Sequence, residues 1–201
     1  MTARGPSSAG LDDLAARVVP AVGADHVRPA QPLALGTGLE PEEHVILEIG
    51  CAVTDSNLNM IAEGPVFAIQ QPESVLATME PWSQDQHGKS GLTQRSRASQ
   101  VSLVEAEEKT LAFLKEHCVA QSSPLCGNSI GQDRRFLCKY MPKLNAFFHY
   151  RNIDVSTVKE LVRRWYSASH QSPEKKKTHH VLEDIRESIE ELRHYRRTIF
   201  K

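Results

Sequence analysis

The chain has no lysine before Lys89, no aromatic residue before Phe67 and no isoleucine before Ile46. These gaps set residues 1–38, dominated by Ala, Gly and Pro, apart from the rest. An excess of one charge is missing too. In 201 residues, 24 Lys and Arg face 25 Asp and Glu, which excludes a wholly basic nucleic-acid binder but leaves room for a local basic face. No apolar run approaches the ~18 residues of a membrane-spanning helix, so the sequence predicts a soluble protein with no membrane partner. No two of Cys51, Cys118, Cys126 and Cys138 have C-x-x-C spacing, and no secretory signal precedes them. They read as reduced thiols of an intracellular protein rather than as zinc ligands. Arg4, Arg17 and Arg28 among many alanines suggest a transit peptide, while Asp12, Asp13 and Asp25 argue against one. Cytoplasm and mitochondrion both stay open.

What is present fits one domain, since domains commonly run ~100–200 residues. Pro6, Pro20, Pro29 and Pro32 predict a disordered extension at the start. His44–Val53 is a β-branched apolar run, the pattern of a well-buried strand. Asp55–Asn59 is a turn cluster, and Met60–Gln70 a second strand interrupted at Gly64-Pro65. After a polar stretch, in which Trp82–Leu92 reads as a loop, Leu103–Cys118 has helical period. A short strand at Ser123–Asn128, a helix at Gln132–Tyr140 and a strand at Asn152–Val155 follow. Ser156 reads as the N-cap of a helix with Val158, Leu161, Val162 and Trp165 inward, and His179–Phe200 as the last helix. A strand hairpin followed by alternating helices and strands predicts an α/β fold, a mixed sheet flanked by helices.

Several segments carry residue types suited to chemistry. Asp133 sits early in a helix just after a strand end, where a carboxylate can reach a cation beside the sheet. His179 precedes Asp184 by five residues at the start of the last helix. Trp82 lies in polar surroundings, and His149–Thr157 collects ring, guanidinium and hydroxyl groups. Lys175–Lys177 is either solvated surface or an attractor for a phosphate backbone.

The words TDSNLNMIAEGP, HGKSGL, CGNSIGQDRRFL, KYMP, HYRNIDVSTVKEL and EDIRESIEEL together closely resemble the oligoribonucleases. These belong to the DEDDh group of 3′→5′ exonucleases with a ribonuclease H-like fold. The resemblance runs from Thr37 to the C-terminus. It implies an exonuclease domain over residues 37–201, with residues 1–36 a divergent, disordered extension. It also implies degradation of short single-stranded RNA oligonucleotides to mononucleotides by two-metal phosphodiester hydrolysis, with Mg²⁺ or Mn²⁺ as cofactor, in a homodimer. His179 resembles the general base. Asp133 and Asp184 resemble metal ligands. Leu39 and Trp82 match positions that bracket bases. Ser129, Arg151, Ser156 and Thr157 match a polar cap on the terminal phosphate, with Tyr150 and Arg151 supplied by the other subunit.

One part of the pattern is missing. The family's first, central strand carries an Asp-x-Glu pair just before Thr-Gly-Leu, so that alternate side chains point together at the metals. Here Thr37-Gly38-Leu39 is preserved, but the pair positions are Leu33 and Leu35. Glu40, Glu42 and Glu43 lie beyond the strand end, and Glu48 matches an acid that the family has in any case. Pro29 and Pro32 predict that the strand is degenerate or absent, with Leu33–Gly36 as a short substitute. The abrupt return of family-like sequence at Thr37 points to an alternative first exon or a mispredicted gene start for residues 1–36. The expected outcome is an impaired exoribonuclease, or alternatively an inactive oligonucleotide binder or dimer partner.

Overall fold

The computed structural model describes residues 30–173 and 180–200, with the backbone alone at 32–34. Residues 1–29 of the extension expected over 1–36, the Lys175–Lys177 run and His179 lie outside the described residues. Five strands form one sheet in the order β3-β2-β1-β4-β5. They are β1 (Ala30–Gly36), β2 (Ile46–Thr54), β3 (Met60–Ala68), β4 (Pro124–Gly127) and β5 (His149–Asp154). β2 is antiparallel to β1 and β3, while β4 is parallel to β1 and β5. The sheet is therefore mixed, as the α/β reading predicts.

β2 is buried along all nine residues because helices cover both faces. Ile49, Cys51 and Val53 face a core with Ala106 and Leu114 of α4 (Leu103–His117) and with Phe136 and Leu137 of α5 (Ile130–Tyr140). On the opposite face, Ala52 meets Val181, Ile185 and Ile189 of the last helix, Val181–Thr198. Gly50 permits that approach, since a Cβ there would lie 2.8 Å from Val181 Cγ1. Between strand and last helix come α1 (Glu73–Leu76), α2 (Pro81–Lys89), α3 (Leu92–Ala98), α6 (Pro142–Phe147) and α7 (Val155–Trp165), so that the last helix is α8. Glu48 is buried on β2 and accepts a hydrogen bond from Arg95 of α3 at 2.8 Å. Glu48 thus ties α3 to the sheet.

Four expectations are corrected. First, β1 is present and central, where a degenerate or missing strand was expected. It pairs with β2 from Ala30↔Val53 to Gly36↔Ile46. Among the described residues its ladder with β4 is the one pair Ala30↔Leu125, so the edge toward β4 makes few demands on backbone donors where Pro32 sits. Gln31 on this strand is buried, and neither polar atom of its side chain has a hydrogen-bond partner among the described residues. Second, the Trp82–Leu92 loop is mostly helix: α2 covers Pro81–Lys89 and α3 begins at Leu92. Ser83, His87 and Leu92 turn inward, a pattern too sparse and polar to register as helical period. Third, Asp154 rather than Ser156 caps α7; its side chain accepts from Ser156 N at 2.9 Å. Fourth, Leu161 and Trp165 of α7 are exposed, and Val155 and Val162 form its buried side.

All four cysteines are free. Burial above all pushes the thiols of Cys51 and Cys126 up to about 12, with smaller contributions from Cys118 and Asp154 respectively. The thiolate is the reactive form. A thiol-specific alkylating reagent at pH 8 is therefore expected to modify exposed Cys138 first and half-buried Cys118 more slowly. Cys51 and Cys126 should react only after denaturation. Rapid labelling of either in the native chain, read by peptide mass, would contradict this packing.

Candidate nucleic-acid interface

The end of β1 opens into Thr37-Gly38-Leu39, and local bonds fix that turn. Thr37 N donates to Val45 O at 3.0 Å, and Thr37 Oγ1 accepts from Val45 N at 3.0 Å. Gly38 lies flat on the buried ring of His44, where a Cβ would come within 2.5 Å of Nε2. A side chain at 38 would push the turn outward. With Gly38 the chain stays close and Leu39 projects into solvent, 68% exposed.

Opposite stands α2 with Trp82, 64% exposed. α2 is pinned to the strand end by His87, whose Nε2 lies 2.9 Å from Gly36 O. Because a carbonyl oxygen only accepts, the bonded Nε2 carries the proton. Leu39 and Trp82 thus form two rims of a cavity of about 550 Å³, with Leu35 and Phe136 among its apolar lining and Ser129 and Asp133 on its polar side. His87 also lines it. His87 falls within the word HGKSGL, where its local sequence points to no role.

The polar side is built where two helices begin. Ser129 caps α5 in the left-handed region at φ 51°. Ser129 N donates to Asp154 Oδ1 at 3.0 Å and to Ser156 Oγ at 2.9 Å, and the hydroxyls of Ser129 and Ser156 are 3.1 Å apart. The N-termini of α5 and α7 therefore meet at two hydroxyls. Helix N-termini favour anions, although Asp154 offsets part of that field.

Asp133, in the first turn of α5, is 8% exposed and faces the cavity. Asp184 stands half-buried in the first turn of α8 and is not part of the cavity wall. Leu35 packs with Ala52, Val181 and Ile185 beneath α8 while also lining the cavity. Among the described residues, no group of three or more His, Cys, Asp or Glu could hold a metal ion. Glu40 is turned to Arg135 at 2.7 Å, and that guanidinium holds its carboxyl below the usual range. Thr157 is exposed on α7, next to Ser156. Tyr150, 71% exposed, and Arg151 lie together on β5 and do not line the cavity; the Arg151 guanidinium carbon is 5.2 Å from the Tyr150 ring centre. The structure therefore gathers Leu39, Trp82, Ser129, Ser156 and Asp133, and leaves Asp184, Tyr150 and Arg151 outside that group.

The RNase_T family model, described as exonuclease, matches residues 36–192. The chain is 59% identical over 165 residues to the oligoribonuclease of Marinobacter nauticus, covering 82% of this chain and 92% of that protein. It is 61% identical over 160 residues to the oligoribonuclease of Pseudomonas paraeruginosa, covering 80% and 89%. The chain belongs to the oligoribonuclease group of the RNase_T exonuclease family. This oligoribonuclease-family fold also resembles E. coli exonuclease I in complex with a dA16 oligonucleotide, with TM-score 0.68 and 13% identity over 87% of this chain and 42% of that one. A zinc-bound form of the E. coli enzyme with single-stranded DNA gives TM-score 0.66 at 13% identity, over 86% and 41%. The chain spans about two-fifths of those solved chains, and the likeness concerns the ribonuclease H-like fold. Among the described residues, no helix is long and apolar enough to cross a membrane.

Proposed function

We propose that this chain is a 3′→5′ exoribonuclease by descent. Its substrates are short single-stranded oligoribonucleotides, which the family's chemistry converts to mononucleotides. Catalysis is impaired in the chain as it stands. The observation that carries this reading is the cavity with Leu39 and Trp82 on its rims and Ser129 on its polar side, the Ser129 hydroxyl lying 3.1 Å from that of Ser156 just behind it. Flat apolar faces accept any base by stacking, and two hydroxyls at converging helix N-termini suit a phosphate oxygen. In a homodimer, Tyr150 and Arg151 of one protomer would close over the groove of its partner. Their exposure on β5 agrees with that role. His179 is assigned as general base toward water, while Thr157 extends the hydroxyl cap. Four free thiols suit an intracellular compartment.

The family's Mg²⁺ or Mn²⁺ pair would be held by carboxylate oxygens, since hard cations take oxygen ligands. Asp133 and Asp184 are two such groups, but Leu33 and Leu35 offer no donor. The residues present do not fit a two-cation site, so no chemical step is assigned to metals here. A second reading follows from Leu35, which lies within the apolar cluster under α8: the chain holds short RNA without cutting it.

Titration of a labelled RNA dinucleotide, with and without Mn²⁺, tests both. The expected result is metal-independent binding with little or no turnover. Rapid Mn²⁺-dependent turnover would remove the impairment, and absence of binding would remove the function altogether.

A further inference from the structure

The geometry points to Glu191 as a positioning residue that works through Asn128 to aim the hydroxyls of Ser129 and Ser156 at a phosphate oxygen. This inference rests on the phosphate-cap reading above and adds what sets the cap's polarity. Glu191 lies inside α8 and is 3% exposed. A carboxylate in such a place is costly unless its oxygens are bonded. Tyr195 Oη donates to Oε1 at 3.2 Å, Ser172 Oγ donates to Oε1 at 3.2 Å, and Lys159 Nζ stands 3.4 Å from it. Oε2 instead accepts from Asn128 Nδ2 at 3.0 Å.

That last bond fixes a direction. An ionised carboxylate only accepts, so the amide nitrogen of Asn128 must face it. The same Nδ2 then donates its second hydrogen to Ser156 Oγ, at 3.4 Å. Ser156 Oγ already accepts from Ser129 N at 2.9 Å. A hydroxyl has two acceptor sites and one proton. With both acceptor sites filled from within, the Ser156 proton points outward, to Ser129 Oγ or to a bound oxygen. If Ser156 donates to Ser129, the Ser129 proton is the one left for the ligand. The chain of bonds from Glu191 through Asn128 and Ser156 to Ser129 thus ends in a donor at the cavity. With the opposite amide orientation, Asn128 Oδ1 would draw the Ser156 proton inward. The neighbouring backbone amides of Ser129 and Ser156 already donate to Asp154 Oδ1, so an incoming anion depends on the hydroxyls.

The test uses the full chain, a 5′-phosphorylated RNA dinucleotide and the same dinucleotide without the phosphate. The unmodified chain is expected to bind the phosphorylated form about tenfold or more tightly, the range of a charge-assisted hydrogen bond. In Glu191→Leu that ratio should fall to near one while affinity for the unphosphorylated form is kept. Glu191→Gln should preserve the ratio, because its amide oxygen can still accept from Asn128. Asn128→Ala should lose the ratio as Glu191→Leu does, and decides the matter if Glu191→Leu fails to fold. An unchanged ratio in Glu191→Leu and Asn128→Ala would overturn the positioning role. So would equal weakening of both ligands, the mark of a merely structural residue. Absence of phosphate preference in the unmodified chain would instead overturn the cap reading, and the inference with it.

Discussion

The double variant Leu33→Asp/Leu35→Glu is expected to cleave an RNA dinucleotide in Mn²⁺ at least ~10³-fold faster than the chain as it stands, since a cation clamp supplies several kcal/mol of transition-state stabilisation and each 1.36 kcal/mol is a factor of ten. Residues 33 and 35 are two apart on β1, which pairs in register with β2 through Gly50 and Glu48. Alternate strand residues share a face, so the new carboxylates would point the same way. Leu35 lines the cavity that also contains Asp133. Removing Leu35 from its cluster with Val181 and Ile185 should lower stability in the absence of metal, because a carboxylate enters an apolar contact. Saturating Mn²⁺ should raise the melting temperature of the double variant by roughly 5–10 °C at about a hundredfold excess over Kd. The original chain should show no comparable shift. If the double variant neither gains turnover nor responds thermally to Mn²⁺, the two leucines are not what impairs the site.

Trp82→Ala is expected to weaken dinucleotide binding by about 5- to 150-fold, the span of ~1–3 kcal/mol for one base–aromatic stack. The fold should be unaffected. Trp82 is 64% exposed, and α2 is held by groups on its inner side, chiefly Ser83, His87 and the His87 bond to Gly36 O. Trp82→Phe should recover most of the affinity, because a smaller ring still stacks. The effect should be nearly independent of base identity, since every base offers a flat face. Equal affinity in Trp82→Ala and the unmodified chain, measured by calorimetry, would place the base elsewhere and remove one rim from the proposed groove.

Much of the fold was legible in the sequence. β2 announced itself through its unbroken β-branched run, and α8 through apolar residues recurring at helical period, because burial on a large core demands those patterns. The turn at Asp55 was legible for another reason: its carboxylate accepts from the backbone of Asn57 and Asn59 and needs no distant partner. The helical character of α2 was not legible. Its buried residues are a serine and a histidine, which gain their place from Gly36 and the strand end rather than from any local pattern. The capping of α7 was misread by two residues because Asp154 and Ser156 are both capable caps. The choice followed from Asp154 bonding Ser129 across the two helices.

The sequence by itself determined the family and the fold class, and it places leucines at positions 33 and 35, since these depend on residue identity and order. The tertiary structure decided that β1 still forms at the centre of the sheet. Its pairing with β2 supplies what local propensity withholds, and its ladder with β4, one pair among the described residues, tolerates Pro32. The tertiary structure also decided which candidate site residues share one cavity. Leu39, Trp82, Ser129 and Asp133 are scattered over 95 positions, and only the packing of α2 and α5 around the end of β1 brings them together. The bond from Glu191 to Asn128 is of the same kind: 63 residues apart in sequence, they meet because α8 crosses beside the end of β4.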